Sequence, residues 1–472
     1  MNGLLRIAGL AAALGVGAGC AVQPLDRSAE TTAGRVNERV SVTPDWPPDA
    51  GQAGPAPEIR EPLTLPAALA IAFTRNPNIR RHYARLGIAH GDLRDAARIA
   101  NPTLSLAWLN PDNGGRDQTT QSISARFSDL LLLPARRRQS AAEFRRTELA
   151  VGSGLVALAH EVETAWYAQV GIVQVAAMRL AVAEAARHEV ELAKRFHEAG
   201  NISRLQLDLQ QAAAARTRVE ALRAQSDSAE RRKRLANLLG LPADAAWRTV
   251  DRLAIPPDTS LSRDELAERA RSQRLDLAAA REEVANLEDV LGVTERWRLL
   301  GRVDAGYERE RETDGSKIRG PTLSLQLPVF NQGQGAVARA EARLLDARAR
   351  AEALALEVEN EVTTGVEQLA LARDISERYR RELLPATASA VARQQEQVNY
   401  MLVSIFELIR TKREQYDAWQ DYFESVRDYW IARTALRAAT GGLLPGDEES
   451  LPPTVGAEEV VAPRHEQHGE QP

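Results

Sequence analysis

The chain is short of the residues that many folds use to fasten themselves. Cys20 is the only cysteine in 472 residues, so no disulfide can form within one copy. Aromatic residues make up 5% of the chain and charged residues 26%, with Ala, Arg, Leu and Glu dominant. That is the composition of long helices with solvated faces rather than of an ordinary globular enzyme. No proline occurs between Pro134 and Pro242, so nothing there forbids a very long helix. Also missing are a G-x-S-x-G elbow, a phosphate-binding loop and an H-E-x-x-H zinc motif. No catalytic residue, cofactor or metal site is therefore expected, and the chain reads as a non-enzyme. His82, His90, His160, His188 and His197 lack ligand spacing, and His465 and His468 lie in the terminal tail as an incidental pair. A net charge of −5 gives no reason to expect a nucleic-acid partner.

What is present begins with a targeting segment. Arg6, an apolar run from Ile7 to Val16 and the small residues Gly17, Ala18 and Gly19 precede Cys20. Residues 1–19 read as a signal peptide, too short to span a membrane. The junction resembles a bacterial lipobox, which would make Cys20 a lipidated first residue. Gly17 departs from that pattern, where Leu or Val is usual, and ordinary cleavage nearby is the other reading. Ala21 and Val22 replace the Asp that retains such lipoproteins in the inner membrane, which favours an outer-membrane destination. Residues 20–62 are polar and carry Pro44, Pro47, Pro48, Pro55 and Pro57, so an extended, lipid-anchored segment is expected.

From residue 63 the chain states one programme twice. A helix from about Leu65 to Ala100, interrupted at Asn76-Pro77, leads to period-two alternation in Leu104, Leu106 and Trp108. A turn-rich loop follows, then the alternating Ile123, Ala125 and Phe127, giving strands at about 102–109 and 120–128. Pro134 is expected to open the next helix. In it, Phe144, Val151, Leu155, Leu158, Val162, Ala165 and Ile172 follow the three-four spacing of a coiled-coil seam. Roughly sixty residues of helix give about 90 Å, far more than a globular core needs. Gly200 breaks the run, and Ser203 is placed to cap a second helix that ends at Gly240.

The second unit, 256–444, repeats this after the first at 63–255. It has strands at about 301–310 and 320–329, and sevenfold spacing in Val337, Leu344, Ala351, Val358, Gly365, Ala372 and Tyr379. Pro385 is expected to kink that helix locally. A tip spans Tyr400 to Ser404, and the final helix ends at Gly441. Glu161-Val162 matches Glu361-Val362, Thr164 matches Thr364, Ser203 matches Ser404 and Gly240 matches Gly441, a constant offset of about 200 that indicates internal duplication. Residues 445–472 are acidic and rich in Pro and Gly, and are expected to be disordered.

Four short strands cannot close a barrel in lipid, and an open edge there leaves backbone groups unpaired at several kcal/mol each. Strands that span a membrane must therefore come from several copies, and three copies would supply an allowed even number, twelve.

Over nearly all of its length after the signal peptide, the chain resembles the TolC-like outer-membrane efflux factors. The duplicated helix–strand–strand–helix–helix unit carries the resemblance, with the tips AGNISRLQLDLQQA (Ala199 to Ala212) and YMLVSIFELIRTK (Tyr400 to Lys412). It implies a mostly α-helical homotrimer with a small membrane β part. A 12-stranded β-barrel in the outer membrane would be continued by a long periplasmic α-helical barrel. Its implied partners are a periplasmic membrane-fusion adaptor, an inner-membrane pump of the RND type and outer-membrane lipid.

The resemblance also places Glu407 among the acids that ring the tunnel's periplasmic mouth, with Gln206 at the matching position of the first half and Asp208 two residues on. The tip turns are Gly200 with Ser203 and Met401 with Ser404, and Met401 departs from the family by replacing its glycine. Pro328, Asn331, Gly333 and Gly335, with Pro134 in the first half, would form the joint between barrel and tunnel. The stretch LPVFNQGQGAVARAEA is similar to the heavy-metal-cation export branch, so the expected cargo is a metal cation. The alternatives are drugs or other small organic molecules as cargo, or, from another class, a periplasmic coiled-coil adaptor or structural protein.

Overall fold

The computed structural model describes residues 24–44, 59–112, 114, 116–258, 261–447 and 451–461. Cys20 and the signal peptide lie outside the described residues. Described elements run in the order α1 (Leu25–Val40), α2 (Leu65–Arg75), α3 (Pro77–Ala96), β1 (Thr103–Leu109), β2 (Gln118–Arg126), α4 (Phe127–Glu198) and α5 (Arg204–Leu239). The second half follows with α6 (Arg263–Gln273), α7 (Leu275–Trp297), β3 (Val303–Arg311), β4 (Lys317–Leu325), α8 (Gln334–Arg378), α9 (Leu384–Asn399), α10 (Ile405–Thr440) and the short α11 (Ala457–Val461). The chain forms two compact units. One comprises Tyr83–Val151, Ala279–Ala351 and the described residues up to Thr32; the other comprises Ala33–His82, Gly152–Ala278 and the chain from Glu352 onward.

The first unit holds one antiparallel sheet in the order β1-β2-β3-β4. Its register runs through Leu104↔Ile123, Ile123↔Tyr307 and Tyr307↔Pro321, and through Ala125↔Ala305 and Ala305↔Leu323. Because alternate residues face opposite sides of a strand, these apolar residues share one face. Ser105, Ser122, Ser124, Asp304, Glu308, Thr322 and Ser324 share the other. The apolar face is bare: Leu104 is 66% exposed, Trp108 62% and Leu323 75%. β2 passes into α4 without a loop, since the strand ends at Arg126 and the helix begins at Phe127. Asp129 in its first turn favours that start, where the helix dipole is positive, and Arg136 pairs with it at 2.7 Å. Pro134 thus lies inside the helix and does not open it, because Phe127 to Leu133 complete the strand-to-helix transition earlier than the proline.

The second unit is built on the helical seam. Phe144 and Val151 close the part of α4 in the first unit, and Leu155, Leu158, Val162, Ala165 and Ile172 continue the same stripe in the second; all seven are buried. Of the sevenfold series, Leu344, Val358 and Gly365 are buried, while Val337, Ala351 and Ala372 in α8 and Tyr379 just after it are half-buried. The kink expected at Pro385 takes a specific form. A single π turn, Tyr379–Leu383, separates α8 from α9, with the Leu384 amide donating to the Tyr379 carbonyl. Widening the turn there accommodates a ring that would otherwise crowd the carbonyl four residues before it.

Two segments depart from the expected lack of structure. Leu25–Val40 is helical because Ala29, Ala33, Val36 and Val40 form a buried stripe at helical spacing, and Pro44, Pro47, Pro48, Pro55 and Pro57 all follow it. Residues 451–461, within the tail expected to be disordered, are folded: Ile255 donates to the Pro452 carbonyl at 2.9 Å and Thr454 to the Leu253 carbonyl at 2.8 Å. Gln174 closes the strap with a 3.1 Å bond to the Thr454 hydroxyl.

The second unit also buries charge. Arg433, 2% exposed, donates from Nε to Asp447 at 2.8 Å, from Nη1 to the Tyr429 hydroxyl at 3.2 Å and from Nη2 to the Pro445 carbonyl at 2.8 Å. Arg437 lies 3.2 Å from both Asp447 and Glu163, and Glu163 is fully buried. Asp447 also accepts the Leu444 amide at 2.7 Å.

Candidate functional site

The two tips are one structure written twice. Gly200 has φ +76°, its amide donates to the His197 carbonyl at 2.9 Å, and the Asn201 amide donates to the Phe196 carbonyl at 2.8 Å. The same geometry recurs in the second half: Met401 has φ +58°, and its amide donates to the Val398 carbonyl at 2.9 Å. The Leu402 amide reaches the Gln397 carbonyl, also at 2.9 Å. These are the paired bonds of a left-handed helix terminus. Met401 therefore makes the same turn as the glycine it replaces, at the steric cost of a side chain in the left-handed region. The following helices, α5 and α10, have 36 residues each and end at Gly240 and Gly441, both left-handed.

The matched positions Gln206 and Glu407 differ in their local engagement. Ser203 accepts the Gln206 amide at 3.2 Å, and the Gln206 side chain accepts the Ser203 amide at 2.8 Å, a reciprocal capping box. Its side chain is thus held against the helix end. Asp208 pairs with Arg204 at 3.0 Å. In the second tip Ser404 accepts the Phe406 amide at 3.3 Å, and the Glu407 carboxylate accepts from the Gln394 side-chain amide at 3.4 Å. Glu407 is exposed and makes no ion pair with a described residue. Around it the tip is apolar: Tyr400 is 77% exposed, Met401 93% and Leu402 73%.

Farther along α10 lie two acids that sequence reasoning did not single out. Burial raises the Asp417 carboxyl above the ordinary range, against the pull of Arg179, 3.4 Å away. Burial also raises Asp421, with repulsion from Glu424 and Asp417 adding to it. Their spacing of four on one helix face was the available signal.

The stretch after β4 is in the first unit. The Gln326 amide still pairs with the Arg302 carbonyl at 2.9 Å, and regular structure then stops until Gln334. Asn331 accepts the Gly333 amide at 3.1 Å, Gln334 accepts the Gln332 amide at 2.9 Å, and Gly333 has φ +80°. The Gly333 carbonyl then accepts the Ala336 and Val337 amides, starting α8. Pro328 lies in the irregular connection and Gly335 in the first turn of α8. The two halves thus make the strand-to-helix passage differently, directly at Arg126-Phe127 and through eight residues after Leu325.

No family model matches the chain, and no curated protein sequence matches it. Solved structures do. The outer-membrane channel OprN superposes with a TM-score of 0.66 at 17% identity, covering 80% of this chain and 90% of that one. CusC, described for its folding and transmembrane channel formation, gives 0.66 at 17%, with 80% and 92% covered. The outer membrane protein VceC from Vibrio cholerae gives 0.65 at 16%, with 80% and 96% covered. The chain is therefore similar in fold, over most of its length, to channel proteins of the bacterial outer membrane.

Proposed function

We propose that this chain is the outer-membrane duct of a tripartite efflux system, of the TolC-like type, and passively conducts what an inner-membrane pump delivers. One observation carries the reading: the four-stranded sheet exposes its apolar face and leaves the outer edges of β1 and β4 without a described partner. In water such a surface invites aggregation, whereas in lipid it is the required surface once the edges are closed. Closure calls for further copies. A homotrimer supplies a 12-stranded barrel, with the long helices forming a periplasmic α-helical barrel. Cys20 would add a lipid anchor. The likeness to outer-membrane channels supports the location, and the absence of any need for chemistry in a duct suits a non-enzyme.

In this reading the apolar tips, Tyr400 to Leu402, offer a surface for a periplasmic membrane-fusion adaptor, itself bound to a pump of the RND type. Three Glu407 carboxylates near one axis repel each other and attract cations. Glu407 is a carboxylate with no ion pair to a described residue, which favours it as the mouth residue over Gln206, held in its capping box, and Asp208, paired with Arg204. The cargo we favour is a heavy-metal cation, on the resemblance of Pro328 to Gly335 to that export branch; drugs or other small organic molecules are the alternative. Membrane fractionation tests the class: a heat-sensitive trimer in the outer membrane supports the duct, and a soluble periplasmic species refutes it in favour of a coiled-coil adaptor. A metal and drug susceptibility panel with and without the gene tests the cargo; identical cation profiles remove the metal reading. Glu407→Ala is expected to lower cation selectivity in planar bilayers without lowering trimer yield.

A further inference from the structure

The run Glu308-Arg309-Glu310-Arg311 looks like a neutral, solvated rim, but the strand separates its charges. Glu308 and Glu310 lie on the polar face of the sheet, while Arg309 and Arg311 lie on the apolar one. Across β4 the register sets Arg309 opposite Arg319 and Arg311 opposite Lys317. The β2 neighbours on the same face are Gln121 and Thr119, so no carboxylate stands beside these cations there. All four cations are exposed, and none makes an ion pair with a described residue. Like charges directly opposite on neighbouring strands oppose pairing unless an anion lies between them.

The same face gives that anion its chemistry. Below the cations the face is apolar through Tyr307, Pro321, Ala305, Leu323 and Leu325. The distance from Leu325 to Arg319 is about 20 Å along the strand. Beside the cations stands Trp108, 62% exposed and in register with Thr119, which in turn faces Arg311. Aromatic residues of this kind mark the level where a bilayer meets water.

We propose that Arg309, Arg311, Lys317 and Arg319 form a binding site for the phosphates of a phosphorylated membrane lipid, whose acyl chains lie against the apolar band of the same sheet face. The proposal rests on the reading of this sheet as membrane barrel, because that reading puts the loop end of the strands at the outer leaflet. A guanidinium fork donates to two phosphate oxygens at once, and two cross-strand pairs suit a lipid carrying two phosphates. The site also resolves the like-charge register of β3 and β4.

The test uses the full chain in non-ionic detergent, titrated by native mass spectrometry with bis-phosphorylated lipid A and with the same lipid stripped of both phosphates. The phosphorylated form is expected to bind at least tenfold more tightly. The variant carrying Arg309→Gln, Arg311→Gln, Lys317→Gln and Arg319→Gln should lose that preference, and one carrying Arg309→Lys, Arg311→Lys and Arg319→Lys should keep most of it. Equal binding of the two lipids, an unchanged preference in the Gln variant, or equal competition by inorganic phosphate overturns the proposal; the last would mean a site for free anions. Conductance of the same preparations in planar bilayers reports separately on the duct. Intact conductance without lipid discrimination sinks the lipid site alone, whereas discrimination without conductance sinks the duct reading alone.

Discussion

Replacing Asp447 by alanine should be among the most damaging single changes outside the hydrophobic core. Its carboxylate takes the Arg433 Nε at 2.8 Å and the Leu444 amide at 2.7 Å, with Arg437 Nε 3.2 Å away. Side-chain exposures are 2% for Arg433, 10% for Arg437 and 9% for Asp447, so water cannot readily replace the lost partner. Arg437 keeps Glu163 and Arg433 keeps two neutral acceptors, but one positive charge is left buried and uncompensated. Breaking a buried pair in this way costs about 3–5 kcal/mol. With an m-value of about 3 kcal/mol per molar, the urea midpoint of the chain in detergent should fall by about 1–2 M. The double change Asp447→Leu with Arg433→Met removes both charges and should recover part of the loss. A midpoint for Asp447→Ala within about 0.3 M of the parent protein would refute the reasoning.

Other perturbations follow from local geometry and titration. Gly240→Ala should destabilise by about 2 kcal/mol or more, since Gly240 has φ +68° and a Cβ there would lie 2.6 Å from the Arg75 carbonyl oxygen; a thermal melt equal to the parent's would contradict this. Asp421, with its carboxyl raised by burial, opposes folding when charged, and that opposition disappears as pH falls through the raised value towards the ordinary ~3.9. Asp421→Asn should therefore raise the urea midpoint at pH 7 and leave it unchanged well below that range. A gain of the same size at both pH values would show that charge is not the cause.

The repeated elements were legible because they rest on local rules. The seam of α4 follows from spacing alone, and all seven of its named residues are buried. The tip turns follow from Gly200 and Ser203, and Ser404 repeats the cap even where Met401 stands for glycine. The faces of the strands were legible too, because period two assigns Leu323 and Ser324 to opposite sides whatever the partner strand. What stayed hidden depends on distant partners. Nothing in the sequence around Arg433, Arg437, Asp447 and Glu163 sets them apart from other charges of the chain, and only tertiary packing withdraws them from water. The strap at 451–461 is held by scattered bonds to Leu253, Ile255 and Gln174 and by the Arg252–Glu459 ion pair, which leave no periodic trace. Pro134 misled because proline is favoured at a helix start, while here the strand runs straight into a helix seven residues earlier.

The duct itself is tested most directly by adding the purified full chain to a planar bilayer and recording single-channel current. The account predicts discrete conductance steps from a heat-sensitive trimer, with a cation preference that falls when Glu407 is replaced by alanine. A chain that remains soluble and monomeric in the presence of detergent or lipid, and passes no current, would contradict it.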